Sequence, residues 1–239
     1  MEGETIASCR HSRGIGRKNY GPTEGVRGWQ ASLTAFEDFG ENIKSARNLI
    51  AIYDKTARTA GLLTEDRKEL LRSAVVFSLS ALDAYFHQKI EDAIVPILNA
   101  DIEKMPGPLG NMAMPVLEVE RMLRYYNRPH EKIKAVLKDR LYTLSYMKPD
   151  KVLDAVKLLG VEDFFSKVGE EIDLEEDTIR SRLSRWAERR NQIAHEHDRI
   201  GRRRGGGRRR DIARADAESC ADFIERFVNG AETVLSSEL

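Results

Sequence analysis

Cysteine is scarce in this chain: two residues among 239, Cys9 and Cys220, far apart in the sequence. They support neither a disulfide framework nor a cysteine-built metal site, and they suit a reducing compartment. Long apolar runs are missing as well. None approaches the roughly 20 residues that a membrane-spanning helix needs, and residues 1–20 lack the apolar stretch of a signal peptide. The expected location is the cytoplasm, with no membrane partner. Net charge is also absent, because 39 lysines and arginines balance 39 aspartates and glutamates, so overall electrostatics single out no partner. No stretch makes a defensible strand, and no internal repeat stands out.

What is present is helical periodicity. Residues 1–28 are glycine-rich and polar without it, as in Gly14-Ile15-Gly16, and are expected to form a flexible tail. Residues 29–239 are expected to form one helical domain. Trp29, Leu33, Phe36, Ile43, Ile50 and Tyr53 recur at helical spacing, with Gly61 as a stop. Thr64 with Glu65 and Asp66 opens a central helix on Leu71, Val75, Leu82, Phe86, Ile90 and Ile94. A second, polar stripe on that helix carries Ser73, Ser80, Asp83 and His87, either a hydrogen-bonded flank or the wall of a site. Pro115, Pro129 and Pro149 divide the middle into short helices. Tyr125, Tyr126, Leu141, Leu144 and Tyr146 there are expected to be packing residues.

Asp173 or Leu174 should open a helix whose first-turn acids complement its dipole and whose stripe runs through Ile179, Leu183, Trp186 and Ile193. Arg190 falls on that stripe, whereas Arg189, rotated by about 100°, and Arg185 are expected to be solvated. A last helix follows on Cys220, Ile224, Phe227, Ala231 and Val234. The fold class is therefore all-α, an antiparallel helical bundle with additional short helices.

Between the last two helices, residues 199–213 form a basic arginine and glycine loop in which Arg199, Arg202, Arg203, Arg204, Arg208, Arg209 and Arg210 stand without an acid before Asp211. The loop suits a phosphate backbone but offers no aromatic for base stacking. Pairing with the acidic stretch Glu170 to Asp177 within the protein is the competing possibility.

Cleaving RNA without a metal requires a base for the ribose 2′-hydroxyl, an acid for the leaving 5′-oxygen and a cation for the phosphate. Histidine and arginine supply those parts, here His195 and Arg190. Asn191 and His195 share a helix face. Arg190 lies five residues before His195, about 140° round the helix and about 7.5 Å along it, so one copy is not expected to close round a phosphate unaided. Two copies related by a twofold axis would offer both pairs to one groove. His195-x-His197-Asp198 is a poor metal set, since histidines two apart diverge on a helix; neither a metal nor a cofactor is expected.

Arg190-Asn191-x-x-x-His195 resembles the R-(N/H/D)-x-x-x-H signature of the HEPN family. The segment Ser80-Ala81-Leu82-Asp83-Ala84-Tyr85 is similar to the central helix of HEPN proteins of prokaryotic conflict systems, and the string from Arg189 to Ala194 to their "RRNQIA" run. The resemblance spans roughly residue 29 onward and is nearest to the RiboL-PSP-HEPN branch. It implies a bundle that dimerises through the motif helices and acts as a metal-independent endoribonuclease, with Arg190, His195 and Asn191 catalytic and with Asp83 and His197 in possible support. It further implies 2′,3′-cyclic phosphate and 5′-hydroxyl ends, a role as toxin or antiviral defence effector, and an antitoxin or regulatory partner. His197 stands where the HEPN toxins silenced by nucleotide transfer carry tyrosine, so that neutralisation route is not expected. The alternatives are a catalytically silent HEPN module binding RNA or a partner protein, and a regulatory helical protein whose arginine loop binds an acidic partner or DNA.

Overall fold

Apolar residues at three- and four-residue intervals give helices wherever the sequence carries them, and proline and glycine punctuate the rest. The computed structural model describes residues 34–56, 64–125, 127–200 and 208–239. The expected tail, Trp29, Leu33, Gly61 and Tyr126 lie outside the described residues, as do Arg202, Arg203 and Arg204. Among the described residues the helices are α1 (Ala35–Thr56), α2 (Thr64–Asn99), α3 (Gly107–Gly110), α4 (Val116–Tyr125), α5 (Pro129–Leu141), α6 (Pro149–Leu158), α7 (Phe164–Ile172), α8 (Glu176–Glu196) and α9 (Arg214–Glu238). They contain no strand beyond one isolated bridge between Arg199 and Arg209. The fold is all-α.

The axle is α2, whose 36 residues span about 54 Å at 1.5 Å per residue. Leu71, Val75, Leu79, Leu82, Phe86, Ile90 and Ile94 are buried along it. It runs antiparallel to α1, since the Phe39 ring packs on Tyr85 and the Arg67 guanidinium lies over the Tyr53 ring. Ser78 meets Cys220, Phe86 meets Phe227 and Lys89 meets Glu232, so α9 runs parallel to α2. Arg182 lies over Phe223 and Arg189 binds the Asp211 carbonyl, which sets α8 antiparallel to α9. Edge-to-face contacts among Tyr85, Phe86, Phe164, Phe165 and Phe227 close the centre, a geometry that adds about 0.5–1.5 kcal/mol per pair beyond area burial.

Each expected proline break begins a helix: Pro115 precedes α4, while Pro129 and Pro149 occupy the first position of α5 and α6, where the missing N–H costs nothing. Other expectations need correction. In α1 the buried face is Ala35, Phe39, Ile43, Ala46 and Ile50, and Phe36, in the first turn of the helix, is exposed. Leu144, expected to pack, is exposed. The opening of α8 shifts to Glu176 with Glu175 as its cap, because Asp173 is the left-handed residue (φ 48°) that terminates α7 through its N–H to the Gly169 carbonyl.

Candidate functional site

The core side of α8 carries Ile179, Leu183, Trp186 and Ala187. Its last two turns project beyond them, leaving Arg190, Asn191 and Ile193 half-buried and His195 exposed. The turn after α8 is unusual in having two consecutive non-glycine residues in the left-handed region, His197 at φ 51° and Asp198 at φ 58°. Both backbone N–H groups donate to the Gln192 carbonyl, which ends the helix two residues past its histidine.

The three motif side chains meet within the one chain. Arg190 Nη1 lies 3.3 Å from Asn191 Oδ1 and 3.4 Å from His195 Nε2. The long arginine stem spans the angular gap that backbone positions alone leave between residues 190 and 195, with Asn191 lying between them on the wheel. A guanidinium only donates, so a hydrogen bond across this pair requires an unprotonated Nε2 with the proton on Nδ1, which is the basic form of the imidazole. Arg190 Nε is buried without a partner. No carboxylate pairs with Arg190 among the described residues.

Arg189 is different. Expected to be solvated, it is mostly buried and forks onto Asp198, through Nη1 to Oδ1 and Nη2 to Oδ2 at 2.9 Å. Arg72 of α2 donates from Nε to the same carboxylate at 2.7 Å. The Asp198 and Arg72 side chains are 1% and 3% exposed, so two cations sandwich one acid out of water. Both arginines also bind backbone carbonyls, Arg72 that of Arg210 at 2.8 Å and Arg189 that of Asp211 at 3.2 Å. Sequence reasoning missed Arg72 and Asp198. The available signal was an arginine in register with Val75, Leu79 and Phe86, on a stripe that should carry only apolar residues. Arg185, also expected to be solvated, is exposed, with its guanidinium over the Trp186 ring.

The arginine loop closes onto this cluster. Ile200 N–H donates to the Arg208 carbonyl at 2.9 Å and Arg210 N–H to the Asp198 carbonyl at 2.7 Å, flanking the Arg199–Arg209 bridge. Two of its arginines serve the fold: Arg209 pairs with Glu69, and Arg210 binds the Arg199 carbonyl and lies 3.6 Å from Glu196. Arg199 and Arg208 are exposed. Among the described arginines of the loop, the acids engaged are Glu69 and Glu196.

Asp83 is not part of this arrangement. It accepts the Tyr146 N–H at 2.5 Å and lies 3.9 Å from His87, whose Nε2 is 3.1 Å from the Leu144 carbonyl. It sits eleven residues beyond Arg72 on a continuous helix, about 16 Å along the axis. The polar stripe of α2 thus anchors the connector before α6. His197 is exposed. Surface cavities of about 610, 660 and 690 Å³ are lined by residues outside the motif, α8 contributing only from its first turns. Among the described residues no group of three or more His, Cys, Asp or Glu could hold a metal ion, and no helix is long and apolar enough to cross a membrane. In comparisons with known proteins, no family model matches the chain, and no curated protein or solved structure matches it.

Proposed function

We propose that the protein is a metal-independent endoribonuclease of the HEPN type. The observation that carries this reading is Arg190, a half-buried guanidinium without a carboxylate partner and with an unpaired Nε, held within hydrogen-bond reach of an exposed histidine. A guanidinium that no carboxylate neutralises keeps its charge for a phosphate oxygen. In the proposed reaction His195 Nε2 takes the ribose 2′-hydroxyl proton. The 2′-oxygen attacks phosphorus, Arg190 stabilises the charge gathering on the non-bridging oxygens, and the 5′-oxygen leaves with a proton. Asn191 orients Arg190. A single protomer brings one motif histidine, so the proton for the leaving group comes from the histidine of a second copy across a twofold axis. Arg199 and Arg208 contact flanking phosphates. A toxin or defence role, restrained by an antitoxin or regulatory partner, belongs to the same reading.

A second reading is a silent module that binds RNA without cutting it. It is favoured by the Arg190–His195 contact itself, which occupies the nitrogen that must accept the proton. Labelled RNA incubated in EDTA with wild type, Arg190→Ala and His195→Ala separates the two. The nuclease gives cyclic-phosphate ends with wild type and losses of about 10²–10⁴-fold with either variant. Intact RNA in all three, bound by folded protein, establishes the silent module.

A further inference from the structure

The chain spends an unusual amount of structure on holding the residues that follow His195. His197 and Asp198 both adopt a left-handed backbone, which is strained for a non-glycine residue and persists only where the surroundings enforce it. The surroundings are Arg189 of α8, which forks onto Asp198, and Arg72 of α2, which donates to it from Nε. Both also donate to the far root of the arginine loop, at the carbonyls of Arg210 and Asp211. The Asp198 backbone serves both sides as well: its N–H closes α8 on Gln192 and its carbonyl takes the Arg210 N–H. One residue therefore joins the central helix, the helix that carries the motif and both roots of the basic loop.

From this we infer that Asp198 is a positioning residue: with Arg72 and Arg189 it forms a clasp that fixes the last turn of α8, and with it His195, in register with the arginine loop. The chemistry favours this division of labour. Asp198 consumes the charge of Arg189 and leaves the neighbouring Arg190 without an acid. Glu69 completes the cluster from the α2 side, pairing with Arg72 Nη1 at 3.2 Å. The inference rests on the proposed nucleic-acid site for its purpose, but the clasp acts on geometry that can be observed without RNA.

Three readouts apply to wild type, Asp198→Asn and Arg189→Gln, with Arg189→Lys as the conservative rescue. The amide exchange rates of Ile200 and Arg210 report the loop root, the ring resonances of His195 report the motif, and binding of a fluorescent single-stranded RNA reports the surface. Circular dichroism confirms that each variant is folded. Asp198 is fully buried, so Asp198→Asn has the greater chance of not folding, and Arg189→Gln, which keeps Arg72 on the carboxylate, is the safer variant. The clasp predicts that both amides exchange about tenfold faster or more in a folded variant, since exchange follows the population of the opened root. His195 resonances shift, RNA binding weakens severalfold, and Arg189→Lys restores part of each. Unchanged exchange and unchanged His195 resonances in folded Arg189→Gln overturn the inference whatever the RNA result. Altered exchange and resonances in a wild-type background that neither binds nor cuts RNA retain the clasp and sink the nuclease reading instead.

Discussion

Arg189 and Arg190 are neighbours in sequence with opposite fates. One turn of 100° directs the first against a buried carboxylate and the second along the helix toward its own histidine. Replacing them separates structure from function: Arg189→Ala should lower stability in urea by about 2 kcal/mol, the range for hydrogen bonds to charged groups, whereas Arg190→Ala should cost under about 1 kcal/mol. Equal losses would mean that Arg190, too, is structural. Cys220 offers a second test. Burial pushes its thiol well above the usual range, against a Ser78 hydrogen bond and the charge of Arg185, so the nucleophilic thiolate is suppressed. In a Cys9→Ser background a thiol reagent at pH 8 should leave the native protein unmodified and label it on unfolding; rapid native labelling would contradict the packing of α9 on α2. Glu232 gives a dependence on pH. Burial raises its carboxyl, but hydrogen bonds from Lys89, Tyr85 and Ser236 outweigh burial and hold it below its ordinary value. A depressed folded pKa means stability that is present above the ordinary carboxylate range, about 4.3, and is lost as pH falls through the folded value. The thermal midpoints of wild type and Glu232→Gln should therefore differ at pH 7 and converge as the pH falls well below the ordinary carboxylate range.

Helices were legible where one stripe of large apolar residues ran unbroken. In α2, Leu71 to Ile94, and in α9, Cys220 to Val234, every residue named from spacing is buried. The three prolines in the middle were equally informative, because proline marks a first helical turn by chemistry rather than by context. What escaped was set by contacts distant in sequence. Within the piece that follows Pro149 a second helix was not anticipated, yet α7 buries Phe164, Phe165, Val168 and Ile172, whereas Glu176 and Asp177 stand in the first turn of α8 as expected. The motif was visible as a pattern of residue types. Its support was not, since Arg72 and Asp198 lie 126 positions apart and only the fold brings them together. Two glycines show how closely α7 is held. A Cβ on Gly169 would stand 2.5 Å from the Leu174 carbonyl oxygen, and one on Gly230 of α9 would stand 2.5 Å from Ile172 Cγ2. Gly169→Ala and Gly230→Ala should each destabilise by about 1–3 kcal/mol in denaturant titrations, with Gly169→Ala the worse, because a backbone carbonyl cannot rotate aside as a side chain can. Wild-type midpoints for both would place α7 farther from α8 and α9 than described.

Across the molecule, charges cancel in sum but not in place. Of the four arginines described in the basic loop, Arg209 and Arg210 are committed to Glu69 and Glu196, whereas Arg199 and Arg208 face solvent. Affinity for single-stranded RNA should therefore fall steeply with salt, and Arg199→Ala with Arg208→Ala should flatten the log–log slope by about 1.4 at 0.7 per phosphate without moving the thermal midpoint. Arg210→Ala should lower both, and a flattened slope with unchanged stability for Arg210→Ala would assign it to the ligand instead. Helix α9 follows every other described element in sequence, yet eleven of its residues are buried against α1, α2, α7 and α8. On a translating ribosome the earlier helices must therefore wait with an open apolar trough until α9 leaves the exit tunnel. The arginine loop and the motif are synthesised before that closure. The nascent chain is for that interval incomplete, with apolar surface open to water, and a translational pause placed just before Arg214 would lengthen that exposure without altering a single residue.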